Sequence, residues 1–254
     1  MLQDKINIAI QTLRKYEKLA LKYSPDGFHV AFSGGKDSQV IYELCRIAGV
    51  KFKAYFYKTS VDPPELLRFI RSNYPDVTWL YPEKTMFQLI LKKKMLPLRN
   101  RRYCCEVIKE RRGLNELVVI GIRKEESARR AKRQEFTSDC KLGCDKPLLS
   151  IILDWTTSEV FEFLEMRNIP VCSLYKIMNR IGCIGCPMNY KSQRSELRMF
   201  PLHRRAYINT IEKLRNQYGK YMNFESAEDA FNWWCSGLSQ KVYLANKKQL
   251  KIQF

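Results

Sequence analysis

Histidine is almost absent from this sequence of 254 residues, which contains only two. His29 lies in an apolar run that predicts a buried strand and His203 at a predicted helix start, so a histidine-based mechanism has few candidates. No apolar run approaches the roughly twenty residues that cross a bilayer. The first 24 residues mix charged and apolar side chains throughout, unlike a secretory signal. We therefore expect a cytoplasmic protein that does not enter a membrane.

Acidic residues are scarce relative to basic ones. The sequence has 26 acidic and 45 basic residues, which gives a formal net charge of +19. Such an excess attracts polyanions such as nucleotides or nucleic acid, and a solvated basic surface is the alternative. Basic runs at residues 92–94, 99–102 and 129–133 favour nucleic acid. The hydrophobic share of 45% supports a substantial core and excludes a disordered chain.

Strand-like and helix-like patterns alternate along the first two thirds of the chain. Apolar runs predict strands at residues 28–32, 52–57, 77–81 and 117–122. Helical patterns lie at residues 1–24, 37–48, 85–94, 104–112 and 156–167, and another begins near Pro64. This alternation predicts an α/β fold, a parallel sheet with helices on both faces, plus a helical C-terminal subdomain. We divide the chain into an N-terminal helix (1–24), an α/β domain (25–175) and a subdomain with a cysteine loop and helices (176–254).

The first predicted strand leads directly into a loop suited to phosphate. The loop consists of Ser33, Gly34, Gly35, Lys36, Asp37 and Ser38, and a helix follows. Two glycines let backbone amides face an anion, and the helix N-terminus adds free N–H groups and a positive dipole end. Lys36 adds charge, the serines add hydroxyls, and Asp37 can hold Mg²⁺ or cap the helix. The spacing matches neither a Walker A loop nor the dinucleotide fingerprint, and a plain tight turn is the alternative to a nucleotide site.

The nine cysteines stand in a chain without a secretory signal, which favours metal or redox chemistry over disulfides. Cys104 and Cys105 form one close pair, and Cys183 and Cys186 form another. Two such pairs bind one metal centre if the fold brings them together. Zinc is a candidate for a four-cysteine site, although adjacent cysteines suit it less well.

The remaining cysteines divide into two groups. Cys140 and Cys144 lie in a loop-like stretch near basic residues, which can lower a thiol pKa and make one of them a catalytic sulfur carrier. The alternative is that this pair is incidental or forms a structural link. Cys45, Cys172 and Cys235 are expected to be buried as small hydrophobic residues.

Several segments, in the same order along the chain, resemble one enzyme family. The Ser-Gly-Gly-Lys-Asp-Ser loop resembles the pyrophosphate loop of the N-type ATP pyrophosphatases. The segments that resemble their phosphoadenosine phosphosulfate (PAPS) reductase branch are residues 59–65, 74–77, 102–109, 121–130, 154–160 and 174–175. The resemblance runs from about residue 28 to about residue 200. It implies the adenine nucleotide alpha hydrolase-like fold, with the nucleotide bound by residues 25–175.

The resemblance also implies roles for particular residues. Arg123, Glu126, Ser127 and Arg130 correspond to a nucleotide-contacting segment of the family, with a solvated charged turn as the alternative. In the related adenylyl-sulfate reductases, a twin-cysteine pair and a distant Cys-x-x-Cys hold a [4Fe–4S] cluster. By this resemblance the metal ligands are Cys104, Cys105, Cys183 and Cys186, and we favour the cluster over zinc.

Two different enzyme activities are compatible with this family. The reductases of this family carry their nucleophile in a C-terminal Glu-Cys-Gly-Leu-His tail. This sequence has no cysteine after Cys235, which counts against the reductase activity. The phosphate loop is intact, which favours ATP use through Lys36 and Asp37. An acceptor oxygen would attack the α-phosphate and release pyrophosphate, and sulfur would then displace AMP.

This chemistry resembles that of enzymes of DNA phosphorothioation and tRNA thiolation. We therefore predict a sulfurtransferase that uses ATP, Mg²⁺ and a [4Fe–4S] cluster. The predicted partners are a nucleic acid and a sulfur donor such as a cysteine desulfurase, and a homo-oligomer is left open. The alternatives are a sulfonucleotide reductase that releases sulfite with thioredoxin and a non-catalytic partner that binds nucleotide or nucleic acid.

Overall fold

The computed structural model describes residues 1–138 and 146–252 of the chain. The chain divides into two compact units, each assembled from three separate segments. The sheet unit comprises Met1–Lys58, Pro64–Tyr81 and Lys109–Ile181. The helical unit comprises Thr59–Pro63, Pro82–Ile108 and Gly182–Phe254. No helix in the described ranges is both long and apolar enough to cross a membrane.

The sheet unit contains a sheet in which six strands are described. They are β1 (Phe28–Phe32), β2 (Phe52–Tyr57), β3 (Thr78–Leu80), β4 (Val118–Val119), β5 (Phe136–Ser138) and β6 (Pro147–Leu149). Their order across the sheet is β3-β2-β1-β4-β6-β5. All neighbouring pairs are parallel except β5 and β6, which are antiparallel. The predicted α/β class is confirmed, and the structure adds one antiparallel edge strand.

The strand predictions differ in accuracy along the chain. β1 and β2 have the predicted bounds, whereas the apolar run at residues 117–122 forms only the two-residue β4. β5 and β6 were not predicted from the sequence. Each has three residues, and β6 begins with Pro147, a residue that argues against a central strand. Such short segments become strands only because a neighbouring strand offers hydrogen-bond partners.

The helices occupy most of the remaining described chain. They are α1 (Leu2–Tyr23), α2 (Lys36–Ala48), α3 (Pro64–Asn73), α4 (Met86–Lys93), α5 (Tyr103–Cys105), α6 (Ala128–Ala131), α7 (Thr157–Met166), α8 (Tyr190–Met199), α9 (Pro201–Tyr218), α10 (Ala227–Trp234) and α11 (Gln240–Ile252). The segment 104–112 was predicted as one regular helix. It instead forms α5 followed by a turn of π-helix at Glu106–Glu110, a local widening that is common at functional sites.

Helix α2 is the element that carries the phosphate loop. It begins after Gly35 and ends at Gly49, whose φ of +69° is the left-handed cap expected for a glycine stop. Phe32 at the end of β1 packs against Tyr42 of α2 and Tyr74 after α3, with ring centroids 5.6 and 4.7 Å away. These aromatic contacts pack the middle of α2 against the carboxyl end of β1.

The helical unit has its own hydrophobic core. Buried residues of α4, including Ile90, belong to one cluster with Ile211 of α9 and Trp234 of α10. Trp234 Nε1 donates a 2.8 Å hydrogen bond to the Pro97 carbonyl, so its indole N–H is satisfied inside the core. The twin cysteines of α5 lie in or against this same cluster.

Candidate functional site

The phosphate loop is a tight and internally hydrogen-bonded turn at the end of β1. Gly34 has a φ of +72°, and a Cβ there would lie only 2.6 Å from the Ile70 side chain. The position therefore requires glycine both for its backbone angle and for space. Ser38 Oγ donates to the Gly35 carbonyl at 2.8 Å, and Ser33 Oγ donates to Ser38 Oγ at 3.2 Å. The loop is thus preorganised at the N-terminus of α2.

Two cations converge on the carboxylate of Asp37. Lys36 Nζ lies 3.1 Å from Asp37 Oδ2, and Arg123 Nε lies 2.7 Å from Asp37 Oδ1. Both cations are nearly buried, with side-chain exposures of 9% and 3%. Burial lowers the pKa of Arg123, but the neighbouring carboxylates outweigh it and hold that pKa above its ordinary value. Arg123 is therefore a fixed positive charge beside the loop.

Arg123 is held in place by a set of further hydrogen bonds. Its Nη1 lies 2.6 Å from Glu125 Oε2 and 3.3 Å from the Trp155 carbonyl. Its Nη2 donates to Thr157 Oγ1 at 3.1 Å. The guanidinium is thus oriented from the start of α7, and its position does not depend on Asp37 alone.

The other residues of the predicted nucleotide-contacting segment mainly support its backbone. Glu126 Oε2 accepts a 2.9 Å hydrogen bond from the Arg123 amide, and its carboxylate pairs with Arg130. Ser127 Oγ accepts from the Arg130 amide at 3.3 Å and caps α6. The structure therefore brings Arg123 to the phosphate loop, while Glu126, Ser127 and Arg130 bond to their own segment.

Two residues beside the loop were not assigned a site role from the sequence. Gly121 lies against α2, and a Cβ there would be 3.0 Å from the Asp37 carbonyl carbon and oxygen. The Lys36 amide donates a 2.8 Å hydrogen bond to the Tyr175 hydroxyl. Burial raises the pKa of Tyr175 to about 12, so this hydroxyl stays protonated. Both residues fell inside segments of family resemblance, which was the only signal for them.

The two cysteine pairs meet in the helical unit. Cys104 is buried in α5, and its thiol hydrogen-bonds with that of Cys105. That bond, burial and the nearby thiols of Cys183 and Cys186 raise the pKa of Cys104. As the side chains stand, no group of three or more His, Cys, Asp or Glu residues in the described part of the chain is arranged to hold a metal ion.

The loop between Cys183 and Cys186 is supported by buried side chains. The Gly185 amide donates to Glu196 at 2.9 Å, and the Gly185 carbonyl accepts from Gln193 at the same distance. Tyr207 donates a 3.1 Å hydrogen bond to the Ile184 carbonyl. Gly185 has a φ of +74°, and a Cβ there would approach the Tyr207 ring to 2.9 Å. This Cys-x-x-Cys loop therefore has a defined conformation.

Of the remaining five cysteines, three lie in the part of the chain that the structure describes. Cys140 and Cys144 lie outside the described residues. Cys45, Cys172 and Cys235 are buried as predicted, and burial raises the pKa of each thiol. A protonated, buried thiol is a weak nucleophile.

His29 occupies a structural position in the sheet unit. Its Nδ1 lies 2.5 Å from Glu116 Oε2, its Nε2 bonds to the Tyr57 hydroxyl, and its ring stacks on Tyr55 at 4.1 Å between centroids. Burial lowers the pKa of His29. The ring is therefore neutral, and both of its nitrogens have partners.

Comparison with known proteins identifies the family. The chain belongs to the phosphoadenosine phosphosulfate reductase domain family, which it matches over residues 27–189. It is 30% identical over 190 residues to an uncharacterized protein of Methanocaldococcus jannaschii, a match that covers 68% of this chain and 38% of that protein. It is 27% identical over 176 residues to a probable FAD synthase of Schizosaccharomyces pombe, covering 68% and 64% of the two chains. The chain therefore spans about two fifths to two thirds of the length of these relatives.

A solved structure shares the fold. Candida glabrata FMN adenylyltransferase, in complex with FMN and the ATP analogue AMPCPP, superposes with a TM-score of 0.53 at 20% identity. The match covers 74% of this chain and 66% of that one. The predicted adenine nucleotide alpha hydrolase-like fold is thereby confirmed.

Proposed function

We propose that the protein binds ATP at the phosphate loop and transfers its adenylyl group to an acceptor, with release of pyrophosphate. The observation that carries this proposal is the array of Lys36, Asp37 and Arg123 at the N-terminus of α2. Two nearly buried cations and the helix amides offer a preorganised site for the charge that develops on departing pyrophosphate. The relatives named for FAD synthesis and FMN adenylyl transfer support this half of the proposal.

Asp37 has two roles in this scheme. Without a polyphosphate it neutralises Lys36 and Arg123, which would otherwise repel each other in a partly buried site. A polyphosphate brings its own negative charge, and Lys36 then moves its interaction from the carboxylate to the phosphates. The oxygen donors of Asp37, Ser33 and Ser38 are of the kind that Mg²⁺ prefers. When bound, Mg²⁺ supplies further neutralisation of phosphate charge.

The second half of the proposal concerns sulfur. Cys104, Cys105, Cys183 and Cys186 provide four soft thiol donors within one unit, and this donor set fits an iron–sulfur cluster. These four cysteines would hold the cluster, which would be a source of sulfide; a new bond from sulfur to the acceptor would then form as the bond to the AMP oxygen breaks. The net charge of +19 supports a nucleic acid as acceptor, because lysine and arginine contacts to phosphates dominate such affinity. A sulfur donor such as a cysteine desulfurase, together with a thiol reductant that converts its persulfide sulfur to sulfide, would replenish the sulfur.

Reduction of a sulfonucleotide is the second candidate, and the family match itself favours it. In that case the phosphate loop would hold a sulfonucleotide, and a cysteine thiolate would attack its sulfate sulfur. The intact Ser-Gly-Gly-Lys-Asp-Ser loop favours ATP instead.

Pyrophosphate release from Mg-ATP by anaerobically purified protein, with and without nucleic acid, tests the proposal. We expect release that nucleic acid stimulates, and we expect Lys36→Ala and Asp37→Ala each to abolish it. Lys124→Ala is the matched control, because Lys124 pairs with Asp154 at the exposed surface. Sulfite formation from a sulfonucleotide and thioredoxin, without pyrophosphate release, would establish the reductase instead.

A further inference from the structure

Tyr175 is a residue outside the phosphate loop whose hydroxyl accepts a hydrogen bond from the backbone of the loop. It lies in a single 3₁₀ turn at Ser173–Lys176, far from the loop in sequence. Its hydroxyl accepts the hydrogen bond of the Lys36 amide at 2.8 Å. Lys36 Nζ lies 5.9 Å from the centroid of the same ring, within the range of a cation–π interaction. The tyrosine therefore engages both the backbone and the side chain of Lys36.

The Lys36 amide has only one proton to donate. It is one of the first N–H groups of α2, which have no acceptor within the helix. A helix N-terminus offers these groups to a phosphate oxygen. The Tyr175 hydroxyl lies over the loop so closely that a Cβ on Gly35 would be 3.2 Å from it. The hydroxyl thus occupies a place where a phosphate oxygen would otherwise accept from this amide.

We propose that Tyr175 competes with the phosphates of the nucleotide for the Lys36 amide and is displaced when they bind. The proposal rests on the phosphate-loop function proposed above. Displacement would free the amide and release Lys36 from the aromatic ring in one movement. Tyr175 is in this sense a gate that lowers the affinity for every ligand that uses this amide, because each must first break its hydrogen bond.

The Tyr175 turn lies beside exposed residues. Its ring packs edge-to-face on Phe161, which is 36% exposed, at 5.7 Å between centroids. Leu174 is buried and anchors the turn, whereas Lys176 and Ile177 on the other side are exposed. A rotation of the Tyr175 side chain would break its ring contacts with Phe161 and Lys36. If the hydroxyl instead stayed bonded to the amide and oriented it for the ligand, removing the hydroxyl would weaken the binding of phosphates.

The test is the affinity for inorganic pyrophosphate with Mg²⁺, measured by calorimetry on the full chain. Tyr175→Phe removes the competing hydroxyl and keeps the ring, so we expect pyrophosphate to bind roughly two- to tenfold more tightly. Tyr74→Phe is the matched control, because the Tyr74 hydroxyl accepts from Gln39 of α2 at 2.7 Å and not from the loop. That variant should bind pyrophosphate as the unmodified chain does.

Phe161→Leu provides a second variant in which the hydroxyl remains. Loss of the edge-to-face contact loosens the ring and should also tighten binding. Hydrogen–deuterium exchange at the Lys36 amide supplies a separate measurement. We expect faster exchange in Tyr175→Phe than in the unmodified chain, and protection when pyrophosphate is added.

Weaker or unchanged affinity in Tyr175→Phe would overturn the gate, because the hydroxyl would then support binding or play no part in it. A Lys36 amide that pyrophosphate leaves unprotected in this variant would overturn it as well. An unmodified chain that binds neither pyrophosphate nor ATP would instead refute the phosphate-loop function itself, and the gate with it.

Discussion

Arg123 and Asp37 form a 2.7 Å ion pair between residues that are 86 positions apart in the sequence. The pair joins the segment after β4 to the first turn of α2, and it places a buried guanidinium beside the phosphate loop. Arg123 is 3% exposed, so a change at this position leaves a carboxylate without its main partner in a partly buried environment.

We expect Arg123→Ala to abolish pyrophosphate release and to lower the free energy of unfolding by about 1.5–3 kcal/mol, the range for a hydrogen bond to a charged group. Arg123→Lys keeps the charge but loses the planar fork of donors. Its activity and its free energy of unfolding should therefore lie between those of the unmodified chain and those of Arg123→Ala. Arg167→Ala is the control, because Arg167 pairs with Glu43 while 45% exposed. Denaturant unfolding and the pyrophosphate assay measure both effects. Equal losses in Arg167→Ala and Arg123→Ala would contradict a special role for Arg123.

Gly121→Ala should disturb the same region by steric contact. The new Cβ would lie 3.0 Å from the Asp37 backbone, so either α2 or the segment after β4 must shift. We expect a loss of about 1–3 kcal/mol in the free energy of unfolding and weaker pyrophosphate binding. Gly182→Ala is the control for stability, since nothing lies within 4 Å of its Cβ position. Thermal melts that coincide for Gly121→Ala and the unmodified chain would refute the close approach.

The stability of the protein should depend on pH through its two histidines. Burial lowers the pKa of His29 and of His203 below the ordinary value of 6.5. As the pH falls through 6.5, these two imidazoles become protonated in the unfolded chain but stay neutral in the folded chain. The free energy of unfolding therefore decreases. For His29 the slope is at most about 1.4 kcal/mol per pH unit, and it ends below the folded pKa.

Urea unfolding at several pH values between 5 and 7 measures this slope. His29→Gln should remove its own share of the slope, even if it lowers stability at every pH by losing the bonds to Glu116 and Tyr57. The carboxylates with lowered pKa, Glu125, Glu159 and Asp229, contribute mainly at more acidic pH. A slope that His29→Gln leaves unchanged would show that the imidazole is not held neutral by the fold.

The cysteine cluster should bind iron when the protein is purified without oxygen. We expect a brown chromophore with equal amounts of iron and acid-labile sulfide, and its loss in Cys104→Ser and in Cys183→Ser. Cys45→Ala should keep it, because Cys45 is buried in α2 of the sheet unit. Metal analysis and visible absorbance provide the measurements. A colourless protein with one zinc per chain would decide for a zinc site.

The sequence was most informative where structure depends on local pattern. Two apolar runs gave β1 and β2 with their observed bounds, and a Gly-Gly step before a helix located the phosphate loop. The end of α2 at Gly49 also agrees with the predicted helix at residues 37–48. Each of these features depends on a few consecutive residues, and sequence patterns report such features well.

The features that the sequence did not predict depend on the tertiary fold. Asp37 and Arg123 become neighbours because β1 and β4 pair, and the sequence does not state that pairing. The contact between Lys36 and Tyr175 spans 139 residues and likewise follows from the assembled sheet unit. β5 is a strand only through its antiparallel partner β6. Resemblance to a family singled out Arg123, but it did not show what this side chain contacts.

The division of the helical unit into three stretches of chain has a consequence for synthesis on the ribosome. Its hydrophobic core combines residues of Pro82–Ile108 with residues that follow Gly182. While the chain is still emerging from the ribosome, α4 and the twin cysteines therefore lack the core residues that pack against them, because those residues are synthesised later. During that interval apolar side chains such as Leu89 and Ile90 are exposed to chaperones and to aggregation. A chain cut after Ile181 would lack the second part of this core, and these apolar side chains would stay exposed.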